Sequence, residues 1–241
     1  MKKICLLGDS ISKGVIFDAV KNRYVYVKNS FANLISSRNN IEIENFSKFG
    51  CTITKGADIL EQHMAEAEDS IITVLEFGGN DSDYDWRQIS NDPLAHHEPK
   101  TPVDVFCRCY SSLIEMLKGK NIKTAIINLP PIDEKRYFEW FSKGLNKSNI
   151  LKWLGGSVEY IYRWHESYNS RICYAANHYN IPLIDIRTPF LEKRNYRKYL
   201  GIDGIHPNEQ GHALISETIQ KYVDKMDSYV KTNDKGSLLA Y

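Results

Sequence analysis

No two cysteines in this 241-residue chain are spaced as C-x-x-C. The five present, Cys5, Cys51, Cys107, Cys109 and Cys173, are odd in number and irregularly placed. Such a set does not make a disulfide framework, and a zinc site needs more ligands than it offers. Reduced thiols in a reducing compartment are expected, and with them a cytoplasmic location. Long hydrophobic runs are missing too. No segment approaches the roughly 20 apolar residues of a membrane span. The apolar stretch after Lys2 and Lys3 is too short for a secretory leader. No charge of one sign dominates, since 31 Lys and Arg face 30 Asp and Glu for a net +1. That balance argues against nucleic-acid partners and a membrane-surface patch. The densest basic cluster, Lys193, Arg194, Arg197 and Lys198, reads as a solvated helix face. Neither a G-x-G-x-x-G after the first strand nor a P-loop lysine motif occurs, which disfavours a nucleotide or phosphate binder.

What is present is an ordinary globular composition, 42% hydrophobic and 25% charged. It buries a sizeable core without disulfide or metal, and residues 1–241 read as one domain, with no repeat or linker dividing them. Five apolar runs read as strands: 3–7, 41–46, 71–77, 122–129 and 181–185. Helical spacing falls between them, at about 30–38, 55–68, 103–118, 158–179 and 208–227. Residues 18–28 read as a polar stretch, 188–200 as helix or irregular, and 229–241 as a polar, frayed tail. Strand and helix alternate from end to end. That pattern predicts a three-layer α/β fold, a five-stranded parallel sheet with helices on both faces.

Ligands of such sheets bind beyond the carboxyl ends of the strands. The suspicious polar clusters all fall there. Asp9 and Ser10 follow the first strand, Gly50 the second, and Gly78-Gly79-Asn80-Asp81 the third, while Asp203 and His206 lie beyond the last. A serine hydroxyl is a poor nucleophile until a base stands beside it. Of seven histidines, His206 is set apart by its context, DGIHP. Pro207 fixes the backbone after it, and Asp203, three residues before it, is placed to orient the imidazole through one tight turn. The other histidines read differently: His63 and His178 as solvated, His165 on a helix face of uncertain direction, and His212 as structural or exposed. Donors for an anionic oxygen are available at the Ser10 amide, the Gly50 amide and the Asn80 side chain.

GDS at 8–10, Gly50 in SKFGCTI, GGND at 78–81 and DGIHP at 203–207, in that order, resemble the SGNH/GDSL hydrolase family. The resemblance runs from residue 4 to about 227 and departs from the family name only in Ile11, which stands where the name has leucine. It implies a flavodoxin-like sandwich, in agreement with the strand reading. It also implies catalytic roles for Ser10 as nucleophile, His206 as base and acid, and Asp203 as its partner. The oxyanion hole would be Ser10, Gly50 and Asn80, with Asp9 and Asp81 buttressing loops. No cofactor is required.

Two segments exceed what a minimal domain needs, 82–102 and 132–157, and both leave strand ends at the same edge. Both are read as walls or a lid, the first as an irregular loop and the second as an aromatic-rich stretch with Tyr137, Phe138, Trp140, Phe141 and Trp153. In the first, Tyr84, Trp86, His97 and Lys100 are the candidate substrate contacts. The expected substrate is a small-molecule ester, foremost an acetyl or other short-acyl ester of a carbohydrate. A lysophospholipase or thioesterase is the alternative within the class. A catalytically inactive binding module of the same fold is the alternative outside it. Nothing in the chain specifies an oligomeric state.

Overall fold

The computed structural model describes residues 2–236. The chain opens with β1 (Lys3–Gly8), a four-residue helix α1 (Ser10–Lys13), and a hairpin of β2 (Val15–Asp18) and β3 (Arg23–Tyr26). Next come α2 (Phe31–Asn39), β4 (Glu42–Asn45), α3 (Ile53–Gln62), α4 (Met64–Asp69) and β5 (Ile72–Glu76). Then follow α5 (Trp86–Asn91), α6 (Val103–Gly119), β6 (Thr124–Ile127), α7 (Glu134–Phe141) and α8 (Lys147–Trp153). The chain continues through α9 (Glu159–His178), β7 (Leu183–Ile184), α10 (Arg187–Leu191), a 3-10 turn (Tyr196–Tyr199) and α11 (Glu209–Gly236).

Five of these strands form one parallel sheet in the order β4-β1-β5-β6-β7. That is the 2-1-3-4-5 order of a doubly wound, flavodoxin-like sandwich, with its switch point between β1 and β5. Alternating side chains feed two cores. Leu7, Leu75 and Ile126 face one layer with residues of α3, α6 and α9, while Leu6, Val74 and Ile127 face the other with α2 and α11. The period-2 alternation of the strands is thus what makes three layers. Gly8 stands opposite Glu76 at the switch point, and a Cβ on Gly8 would lie 2.8 Å from the Glu76 carbonyl oxygen. The glycine lets the two strands close up where the site begins.

Several expectations need correction. The stretch 18–28 holds the end of β2 and all of β3, an antiparallel pair outside the main sheet. The segment 82–102 is not wholly irregular, because Asp85 caps α5 by accepting the Arg87 and Gln88 amides. The segment 132–157, to which the sequence assigns no element, is largely helical, as α7 and α8. Ile89, Phe138, Ile150 and Leu154 from these two segments build a third apolar cluster with Ile161 of α9. Aromatic and branched residues at helical spacing need a partner face, and the two insertions supply one to each other. The expected helix 55–68 breaks at His63, which is half-buried and stacked 3.8 Å from Phe46 rather than solvated. The strand expected at 181–185 shrinks to Leu183–Ile184. The last helix continues past 227 to Gly236, and residues 237–241 of the expected tail lie outside the described residues. No described helix is long and apolar enough to cross a membrane.

Candidate active site

β1 ends at Gly8, and the next two residues start α1. Asp9 caps it, accepting the Ile11 amide at 2.8 Å, and Ser10 is its first residue. Gly14, at φ 77°, stops the helix after one turn, a left-handed conformation that glycine adopts without strain. Ser10 is thereby held at the sheet edge, with its Oγ 2.9 Å from His206 Nε2. His206 Nδ1 lies 2.6 Å from Asp203 Oδ2.

The loop that carries these two residues is pinned from several sides. Asp203 Oδ1 accepts the backbone amides of Ile205 and His206, both at 3.2 Å. The Gly201 amide donates to the His206 carbonyl at 2.7 Å, and the Asp133 amide to the Gly204 carbonyl at 2.8 Å. Burial pushes the Asp203 carboxyl upward, but the His206 side chain and the two amides outweigh it and hold it below the usual range. Asp203 is thus an ionised group fully enclosed by its donors, suited to orienting an imidazole and stabilising its protonated form.

On the other side of Ser10 lie three unspent donors. Among the described residues the amides of Ser10 and Gly50 donate to no protein group. Asn80 Nδ2 gives one hydrogen to Asp9 Oδ2 at 3.0 Å and keeps a second. Asp81 is buried, accepts the Ile53 amide at 3.0 Å and so anchors the start of α3 beside the Asn80 loop. Burial lifts its carboxyl to about 6. Asp9 and Asp81 therefore hold the loops together, as the sequence suggested.

Ser10, Gly50, Asn80 and His206 open on one cavity of about 390 Å³. That is near the small end of the roughly 300–1,000 Å³ typical of small-molecule sites. Of the four substrate contacts read from the sequence, Tyr84, Trp86 and Lys100 line it. His97 lies outside that wall, bonded through Nε2 to the Asp92 carbonyl at 2.7 Å and set edge-on against Trp153. Lys100 is not free, since it pairs with Asp83 at 2.8 Å. Asp83 also accepts Trp86 Nε1 at 2.8 Å and the Tyr137 hydroxyl at 2.7 Å.

The sequence reading missed much of the wall. Tyr24, from the unforeseen hairpin, lies 5.2 Å from the His206 ring, and Phe49 stacks on that ring at 6.1 Å. Trp140, one of the aromatics the sequence offered for the wall segment 132–157, packs edge-on against Phe17 and completes an aromatic flank over the histidine. Trp164 and His165 of α9 form part of the cavity wall as well. Phe49 had a signal, being adjacent to Gly50. Tyr24 had none.

The model of the GDSL-like Lipase/Acylhydrolase family matches residues 6–214 of the chain. The protein belongs to that family. It is a carboxylic ester hydrolase of the SGNH/GDSL type. Solved structures agree on the fold. A lipase/acylhydrolase from Enterococcus faecalis superposes with a TM-score of 0.67 at 18% identity, over 94% of this chain and 97% of that one. The acetyl xylan esterase AlAXEase gives 0.62 at 20%, over 92% and 99%. A catalytic mutant of Axe2, an acetylxylan esterase from Geobacillus stearothermophilus, gives 0.62 at 16%, over 91% and 93%. No curated protein matches the chain.

Proposed function

We propose that this GDSL-family protein hydrolyses short-acyl esters, foremost acetyl esters of carbohydrates or related small alcohols, through an acyl-enzyme on Ser10. The observation that carries the reading is the unbroken chain Ser10 Oγ–His206 Nε2, 2.9 Å, and His206 Nδ1–Asp203 Oδ2, 2.6 Å, beside three unspent donors. His206 Nε2 takes the Ser10 proton as Oγ attacks the ester carbonyl. The tetrahedral oxyanion is met by the amides of Ser10 and Gly50 and by Asn80 Nδ2. The carbonyl then reforms, the alkoxide leaves, and His206 returns its proton to that oxygen. Water, deprotonated by the same imidazole, attacks the acyl-enzyme, and carboxylic acid leaves as Ser10 recovers its proton. Asp203 stays a carboxylate throughout and holds the Nδ1–H tautomer.

Two findings favour a short acyl group on a ring-bearing alcohol. The cavity is near the small end of ligand sites, and its walls are largely aromatic faces, which suit flat or ring-shaped partners. Two of the structural relatives bear the name acetylxylan esterase. On this reading the chain is one catalytic domain, with 82–102 and 132–157 as its walls. It works in the cytoplasm, where its five unpaired thiols stay reduced. A chain-length series of 4-nitrophenyl esters tests the acyl preference. The highest kcat/KM on acetate is expected, and a maximum on octanoate would contradict the short-acyl reading.

A further inference from the structure

His165 is 7% exposed and lines the cavity, yet neither of its nitrogens is bonded to a protein group among the described residues. Nδ1 is enclosed without a partner, so the nitrogen left to meet a ligand is Nε2. A buried polar group without a partner has lost its water and gained nothing for it, and native structures rarely leave one without a use. Burial, helped by the guanidinium of Arg187, pushes the imidazole down to about 3, which keeps the ring neutral at physiological pH. Arg187 itself is engaged elsewhere, by the carbonyls of Leu129 and Pro130, by the Tyr162 hydroxyl and by Glu166.

The residue before it repeats the pattern. Trp164 lines the same wall, and its indole N–H is enclosed with no acceptor. Its ring lies stacked on Tyr160 at 6.0 Å and tilted against Tyr84 at 6.1 Å. This end of the cavity therefore joins ring faces to one polar atom that is neither bonded nor enclosed, His165 Nε2, while the indole N–H is as enclosed as Nδ1.

Three ligand chemistries compete for it. An anion would want a free cation, but Lys100 is neutralised by Asp83, His165 is uncharged and Arg187 is engaged. An alkyl chain would fill the volume while leaving the imidazole Nε2 unpaired. A hydroxyl group donates and accepts at once, and it satisfies a neutral imidazole whichever nitrogen carries the proton.

We propose that His165, with Trp164 beside it, is a hydroxyl-recognition subsite that selects a hydroxylated ring in the alcohol part of the substrate. The assignment to the alcohol rests on the short-acyl reading above, because an acetyl group is spent at the oxyanion pocket and only the alcohol extends further.

The test compares kcat/KM for two acetate esters of one ring, a methyl pentoside monoacetate and tetrahydropyranyl acetate, which lacks the hydroxyls. Wild type should favour the pentoside ester by at least about tenfold, since a site built to bond a hydroxyl rejects the analogue without it. His165→Phe, checked for folding by its melting transition, should bring that ratio to within about twofold of unity. Should His165→Phe not fold, His165→Leu, smaller and equally unable to bond a hydroxyl, should still lower the ratio several-fold. Parity in wild type overturns the subsite, and so does a folded variant that keeps the wild-type ratio. Wild type inert toward both esters and toward 4-nitrophenyl acetate would instead remove the esterase reading, and the subsite with it.

Discussion

The carboxyl of Glu76 is buried against Asp9, directly beneath the turn that carries Ser10. Glu76 Oε2 accepts the Asp9 amide at 3.4 Å, the Ser12 amide at 3.3 Å and the Ser12 hydroxyl at 2.9 Å. Burial lifts Glu76 well above the usual glutamate range, and the neighbouring Asp9 charge lifts it further. Burial and the Asp9 charge thus favour the neutral form of Glu76, while Asp9 itself accepts from Asn80 and from the Ile11 amide.

Glu76→Gln keeps an uncharged acceptor for the Ser12 hydroxyl and the two amides, so its kcat/KM should stay within several-fold of wild type. Glu76→Leu strands the Ser12 hydroxyl and two amides in the core and should cost about 3 kcal/mol or more, with a matching fall in melting temperature. The raised folded pKa also fixes a sign. The protonated glutamate stabilises fully below about 4.5, its unfolded value, and that stability is lost as pH rises through the folded value. Glu76→Gln should therefore gain on wild type as pH rises. Equal damage from Gln and Leu would show that a neutral acceptor at this position is not what matters.

The main sheet was legible because β1, β5 and β6 lie in short apolar runs bounded by turn residues, because β4 lies in the alternating IEIENF, and because Leu6 and Leu7 or Val74 and Leu75 each face a different helix layer. The motif residues were legible because Ser10 and Asn80 stand just past strand ends and because His206 sits in the tight turn DGIHP. The hairpin at β2 and β3 was not. Its strands are four residues long, partly exposed and interrupted by charge, so alternation never builds over enough positions. The face of His165 was equally hidden, since α9 carries aromatics nearly all round and periodicity alone does not choose among them. His212, read as structural or exposed, is fully buried because α11 turns it toward α2, where Nδ1 accepts the Phe31 amide at 3.4 Å.

Gly204 sits at φ 78°, and a Cβ there would meet the Asp133 carbonyl oxygen at 2.6 Å. Both backbone strain and a backbone clash oppose any side chain. Gly204→Ala should lower stability by about 2 kcal/mol and disturb the loop that carries Asp203 and His206. Thermal unfolding together with kcat should fall in step. An unchanged kcat would mean that this turn does not position the histidine.

Burial drives the His212 imidazole down to about 4, with the nearby His206 adding to the effect. A folded pKa below the unfolded value of about 6.5 means that the unfolded chain takes the proton first. The stability this neutral histidine contributes is complete above about 6.5 and is lost as pH falls toward 4. The linkage amounts to at most about 3 kcal/mol. Urea titrations between pH 7 and pH 4.5 should show a steeper loss for wild type than for His212→Gln, and parallel losses would contradict the buried neutral state.

Asn80 stands between two duties, holding Asp9 and offering its second N–H to the cavity. Asn80→Ala should lower kcat by roughly two to three orders of magnitude, the usual cost of one oxyanion donor, with a smaller effect on KM. Asn80→Asp keeps the shape but removes the donor, so it should be no better. Wild-type rates in a folded Asn80→Ala enzyme would remove Asn80 from that role.

The central claim is that Ser10 is the nucleophile, and one paired assay addresses it directly. Wild type and Ser10→Ala are assayed side by side on 4-nitrophenyl acetate and treated with a fluorophosphonate, with the adduct followed by intact mass. Turnover and a single adduct in wild type, both absent from the mutant, are the expected result. Hydrolysis or labelling that survives in Ser10→Ala would contradict it.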